Sequence, residues 1–156
     1  MARPVDPASR RELDELRELL LALCEFQRRV LDSPFADRMV EGVEKAYRAR
    51  SLPGLRMARN DMLSMLEGCT ADQLRQLDAL LRERTDTSVA ELRARQLARI
   101  ARIQERGRIS NDEQYYLVRE HVELIWDDPA KNEELTALQA LLADYENRRG
   151  RMAGKR

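Results

Sequence analysis

Apolar residues recur at intervals of three and four along most of this 156-residue chain. The stretch "RELDELRELLLALCEFQRRV", residues 11–30, is the longest example, and shorter ones follow it as far as Tyr145. This spacing places apolar side chains on one face of an α-helix, whereas a half-buried strand requires strict alternation. No stretch of the sequence alternates in that way. The sequence therefore predicts an all-α fold.

Residues that start and stop helices separate these periodic stretches. Gly107 should end one helix, and helices should begin at Ser51 and at Asp128, each followed within two residues by a proline. Three pairs have the spacing of a reciprocal capping box: Thr70 with Gln73, Ser88 with Glu91, and Ser110 with Glu113. We predict a single-domain bundle of about six to seven amphipathic helices with short connections, over residues 1–147. Residues 148–156 are predicted to form a basic, flexible C-terminal tail.

The predicted first helix has a wider apolar surface than one packing stripe requires. Its seam has heptad spacing and includes Leu13, Leu16, Leu20, Leu23 and Val30, and the apolar surface is widened beyond the seam by Leu19 and Phe26 among others. We predict that part of this surface forms an interface with a second copy of the chain or with another protein. The alternative is a helix at the centre of the bundle, because a core stripe and an interface stripe have the same sequence pattern.

Arginines are concentrated in "ELRARQLARIARIQERGRIS", residues 91–110. At 100° per residue, four of them form a stripe along one edge of a helix: Arg95, Arg99, Arg102 and Arg106. Lys plus Arg and Asp plus Glu both number 28 in the whole chain. Because the net charge is zero, any attraction to a polyanion must be local.

The arginine stripe allows two interpretations. It could contact the phosphates of DNA or RNA, within residues 93–108 or together with the basic C-terminal tail. Alternatively, the turn at "GRIS" would fold the acidic residues 112–134 back beside it, and the arginines would pair with carboxylates inside the protein. We favour internal pairing, because the chain has no basic recognition helix and no aromatic residue between the arginines.

Residues that carry catalysis or bind metals are few in this sequence. The two cysteines have no CxxC spacing, and His121 has no carboxylate three or four residues away. No glycine-rich phosphate loop and no nucleophile–base pair is recognisable. We therefore predict a non-enzymatic protein without metal, cofactor or small-molecule substrate, in which His121 is structural. The lack of a long apolar segment predicts a cytoplasmic protein.

The stretches "RISNDEQYYLVREHVELIWDD" and "EELTALQALLADYE" resemble the helical segment that accompanies the DNA-binding domain in HigA-like antitoxins. The likeness covers residues 108–128 and 133–146, and the helix-turn-helix part of that family has no counterpart here. We predict a non-catalytic protein that acts through protein–protein contacts, as an adaptor, a regulator or an antitoxin-like partner. The alternative is a small nucleic-acid-associated protein that uses the arginine stripe or the C-terminal tail.

Overall fold

The computed structural model describes residues 4–153. Within this range the chain has seven α-helices, two short 3-10 helices and no strand, which confirms the all-α prediction. The helices are α1 Pro7–Arg29, α2 Ala36–Arg48, α3 Leu52–Ser64, α4 Ala71–Arg84, α5 Val89–Arg106, α6 Asp112–Ile125 and α7 Asn132–Ala153, with 3-10 turns at Met65–Gly68 and Pro129–Lys131. No helix in this range is both long and apolar enough to cross a membrane.

The chain divides into two compact units, of which unit 1 ends at Arg93 and unit 2 begins at Ala94. Each unit has its own cluster of buried apolar side chains. Helix α5 crosses the boundary, because Val89 and Leu92 belong to the first cluster whereas Ile100 and Ile103 belong to the second. That residues 1–147 form a single domain stays a prediction. It would require the two units to unfold together.

Helix α1 is the central helix of unit 1 and packs against α2, α3 and α4. Its side chains Leu20, Leu23 and Phe26 are at most 1% exposed. Burial also raises the pKa of the Cys24 thiol on this helix to about 11. Asp6 caps the start of α1, where its Oδ1 accepts a hydrogen bond from the Ser9 amide at 3.0 Å. Unit 1 is thus built around one central helix whose apolar side is buried and whose charged side chains, such as Arg11, Asp14 and Glu15, remain exposed.

The connection from α5 to α6 within unit 2 combines a predicted feature and an unpredicted one. Gly107 has a positive φ of 72°, and its amide bonds the Ile103 carbonyl at 2.9 Å, so the helix ends at the predicted glycine. The predicted Ser110–Glu113 capping box is wrong. Asn111 is the N-cap and accepts from the Gln114 amide at 2.9 Å, while Gln114 Oε1 accepts from the Ser110 amide at 2.8 Å. Asparagine caps a helix as well as serine does, so the N-cap lies one residue later, and the returning bond from the Gln114 side chain goes to the amide of the preceding residue, Ser110.

Helix α7 continues to Ala153, so residues 148–153 are helical and the predicted flexible tail is wrong for them. The physical reason is that the basic residues at the start of the predicted tail have partners in unit 2. Arg148 Nη2 donates to the Ile109 carbonyl at 2.7 Å, and Arg149 Nη1 donates to Asp112 Oδ1 at 2.9 Å. The rest of the predicted tail, residues 154–156, lies outside the described residues.

Candidate interaction surfaces

The apolar residues predicted to form an interface on α1 lie in the core of unit 1. Their exposed fractions are 4% or less: Leu13 4%, Leu16 4%, Leu20 0%, Leu23 1% and Phe26 0%. Helices α2, α3 and α4 cover the surface that was assigned to a partner. The structure therefore has the alternative arrangement, in which α1 is a central bundle helix, and these five side chains are not available for binding.

The arginine stripe of α5 is only partly engaged within the protein. Arg95 and Arg99 each have an interaction within the chain. Arg102 is exposed and donates to the Ala98 carbonyl of its own helix at 3.4 Å, and Arg106 is exposed as well. Within residues 4–153, neither Arg102 nor Arg106 forms an ion pair with a carboxylate. The predicted pairing with the acidic helix is therefore not observed for these two arginines.

A network of tyrosines, arginines and carboxylates joins α7 to the start of α6. Tyr145 Oη donates to Asp112 Oδ1 at 2.5 Å, and the Arg148 guanidinium lies 5.4 Å from the centre of the Tyr145 ring. Tyr115 packs beside Tyr145 with ring centres 5.3 Å apart and donates its hydroxyl to Glu146. Burial and the bond to Asp112 raise the pKa of Tyr145, so its hydroxyl remains a donor. This network is structural, and it engages arginines that the sequence assigned to a free tail.

His121 has a carboxylate partner that sequence spacing could not reveal. Its Nε2 lies 3.0 Å from Glu134 Oε1 on α7, and the histidine side chain is 11% exposed. Lys131 Nζ lies 3.7 Å from the other Glu134 oxygen. In the part of the chain that the structure describes, no group of three or more His, Cys, Asp or Glu side chains could hold a metal ion. The geometry fits a His121 side chain that links α6 to α7.

The exposed surface of α6 contains a candidate site that sequence reasoning missed. Trp126, the only tryptophan in the chain, is 64% exposed at the end of this helix, with helical φ and ψ of −50° and −44°. Steps of three and four residues along the same side of the helix place Tyr116, Arg119 and Glu123 in line with it. We call these four residues the Trp126 face. The sequence contains this spacing, but the spacing identifies an exposed face only once the buried side of α6 is known.

Arg119 is held in place on this surface by an aromatic neighbour. Its guanidinium carbon lies 5.3 Å from the centre of the Tyr116 ring, a cation–π distance. Leu124, which follows Glu123 in the sequence, is 47% exposed. The Trp126 face thus combines an exposed indole with a positioned arginine and a carboxylate.

Comparison with known proteins gives no relative of this chain. The chain matches no protein-family model, no curated protein and no solved structure. The resemblance to the HigA-like antitoxin segment therefore depends only on residues 108–128 and 133–146, which largely form α6 and α7. Any function has to be inferred from the surfaces themselves.

Proposed function

We propose that this chain is a non-catalytic interaction protein that binds other protein molecules through the Trp126 face. It would act as an adaptor, a regulator or an antitoxin-like partner. The observation that carries the proposal is the 64% exposure of Trp126. Trp, Tyr and Arg are the residue types that contribute most often to the binding energy of protein interfaces. The Trp126 face has one of each, along with Glu123 as a polar neighbour.

The expected energetic gain from covering Trp126 is substantial. A buried aromatic side chain removes roughly 150–250 Å² from water, so covering the exposed part of this indole should contribute about 2 to 4 kcal/mol. The contact between Arg119 and Tyr116 reduces the conformational freedom that binding would remove from the arginine. Both effects favour binding of another protein surface at this position.

The non-catalytic part of the proposal is supported by how the titratable side chains are used. His121 contacts Glu134, Tyr145 contacts Asp112, and Tyr115 contacts Glu146, so each of these polar groups joins α6 to α7. Each contact gives the polar group a structural role within unit 2, between α6 and α7. We propose no cofactor, metal or small-molecule substrate, and we place the protein in the cytoplasm.

The test is affinity capture with the immobilised chain, comparing the wild type with a Trp126→Ser variant. Met152→Ser is the matched control, because Met152 is another exposed apolar residue of unit 2, at 75%, on α7. We expect Trp126→Ser to lose the captured protein and Met152→Ser to retain it, with unchanged helical circular dichroism in both variants. Capture of the same proteins in equal yield by wild type and Trp126→Ser would overturn the proposal.

A second candidate function is binding of nucleic acid through the basic edge, which we define as Arg102, Arg106 and Arg108. The observation that favours it is the absence of carboxylate partners for Arg102 and Arg106 within residues 4–153. Arginines in this state can neutralise phosphates, and each such contact makes binding weaker as salt increases. Salt-sensitive binding of a labelled duplex that is lost in an Arg102→Gln/Arg106→Gln variant would support this candidate, and no binding at low salt would remove it.

A further inference from the structure

Unit 2 has exposed basic side chains on α5 and in the connection that follows it, and exposed carboxylates beyond the far end of α6 and in its last turn. The basic edge, Arg102, Arg106 and Arg108, lies beside the connection that leads into α6. Three exposed carboxylates, Glu123, Asp127 and Glu133, lie where α6 ends and α7 begins. We call these three the acidic end. The helix between the two sets has 14 residues, which corresponds to about 21 Å at 1.5 Å per residue.

The two charged sets do not neutralise each other within one chain. Among the described residues, none of the six side chains forms an ion pair. Helix α6 lies between them and is about 21 Å long, and exposed charges more than about 8 Å apart are largely screened at physiological ionic strength. Both sets therefore remain available to a molecule that approaches from outside.

We propose that the partner of the Trp126 face is a second copy of this chain, and this inference depends on the function proposed above. The copies would pair about a two-fold axis, with the basic edge of each opposite the acidic end of the other. A two-fold axis repeats each contact twice and closes the assembly at a dimer. Trp126 lies next to Asp127 in sequence and near Glu123 on the helix, so the same contact would cover the indole.

Charge complementarity favours a second copy over a polyanion. A nucleic acid would pair with the basic edge, but it would be repelled by the acidic end and would leave Trp126 in water. Another copy of the chain supplies both charges at the required separation. The zero net charge of the chain also removes the long-range repulsion that keeps strongly charged proteins apart.

The test uses the full chain and two charge-reversed variants. One carries Arg102→Glu and Arg106→Glu on the basic edge, and the other carries Glu123→Arg and Asp127→Arg at the acidic end. Molar mass is measured by light scattering across a concentration series, for each protein alone and for an equimolar mixture of the two variants. The wild type should dimerise, and each variant alone should associate at least about a hundredfold more weakly, because like charges face each other at both contacts.

The mixture is the decisive sample, because a heterodimer of the two variants has opposite charges at both contacts. Its association should return to within about tenfold of the wild type, which misfolded variants could not achieve. A wild type that stays monomeric would overturn the inference, as would a dimer unaffected by both variants. A monomer whose duplex binding is lost only in the basic-edge variant would favour nucleic acid instead. Loss of a different captured protein in Trp126→Ser, with a monomeric wild type, would leave the proposed function standing and reject only the second copy.

Discussion

Unit 1 and unit 2 differ in what their helices leave exposed. In unit 1, α1 is surrounded by three helices, and the large apolar side chains exposed among the described residues are Phe35 and Met65. Unit 2 is the smaller unit and exposes more: Leu97, Leu124, Trp126 and Met152. Both units have a buried apolar cluster and polar contacts between helices, such as Arg56 with Glu12 in unit 1 and Tyr145 with Asp112 in unit 2. On the function proposed above, unit 1 would serve as the scaffold and unit 2 would carry the binding surface.

The largest effect on the independence of the two units is expected in the core of unit 1. Phe26→Ala removes a side chain with 0% exposure, and it should lower the free energy of unfolding by about 3 to 5 kcal/mol. Hydrogen exchange should then increase within residues 4–93 and remain slow in the α6–α7 pair. Equal loss of protection in both units would show that they unfold as one domain.

The matched variant in the second unit is Leu138→Ala, because Leu138 is also 0% exposed. It should cost about 2 to 5 kcal/mol. Its effect on hydrogen exchange should be confined to α6, α7 and the end of α5. An increase that reached α1 would contradict the separate cores.

The polar network of unit 2 should give a smaller effect. Tyr145→Phe removes the hydroxyl that donates to Asp112, which should cost about 1 to 2 kcal/mol at neutral pH. Because the folded-state pKa of Tyr145 is raised above its usual 10.0, this stabilisation is complete below pH 10 and is lost as the pH rises through the folded value. Chemical denaturation at pH 7 and above pH 10 checks this, and a constant difference would contradict the role of the proton.

The N-cap of α6 is Asn111 in the structure, whereas the sequence predicts Ser110. Asn111→Ala should cost about 1 kcal/mol, as loss of an N-cap usually does, because the Gln114 amide loses its acceptor. Ser110→Ala is the control and should cost only a few tenths of a kcal/mol, since the Ser110 backbone amide, not its hydroxyl, makes the bond to Gln114. Thermal melting of both variants measures this, and the reverse order would restore the predicted Ser110 cap.

The smallest effect is expected from the basic edge. Arg102→Gln/Arg106→Gln should change the free energy of unfolding by less than about 0.5 kcal/mol. The reason is that neither side chain forms an ion pair with a carboxylate within residues 4–153. Arg149→Gln is the matched comparison, since Arg149 bonds Asp112, and it should cost somewhat more. A clear loss of stability in the double variant alone would favour the internal pairing that the sequence predicts.

Helix type and many helix ends were predictable because they depend on nearby residues. The Thr70–Gln73 capping box and the left-handed Gly107 both lie within a few positions of the signals that predict them. The cap of α6 was harder, since Ser110–Glu113 and Asn111–Gln114 have the same spacing. Only the structure selects between them.

The surfaces were less predictable, because they depend on contacts between distant residues. Tyr115 and Tyr145 lie 5.3 Å apart in space although 30 residues separate them in sequence. The seam of α1 reads the same whether helices of its own unit or a partner cover it. Trp126 could be recognised as exposed only after α7 had fixed which side of α6 is buried.

The most direct test of binding through unit 2 uses Trp126 as an intrinsic probe, because the chain has no other tryptophan. Quenching of its fluorescence by acrylamide is measured from low to high protein concentration. At low concentration the 64% exposed indole should be quenched efficiently, and as dimers form the quenching should fall while the emission shifts to shorter wavelength. Efficient, concentration-independent quenching would contradict the proposal that a second copy covers this face.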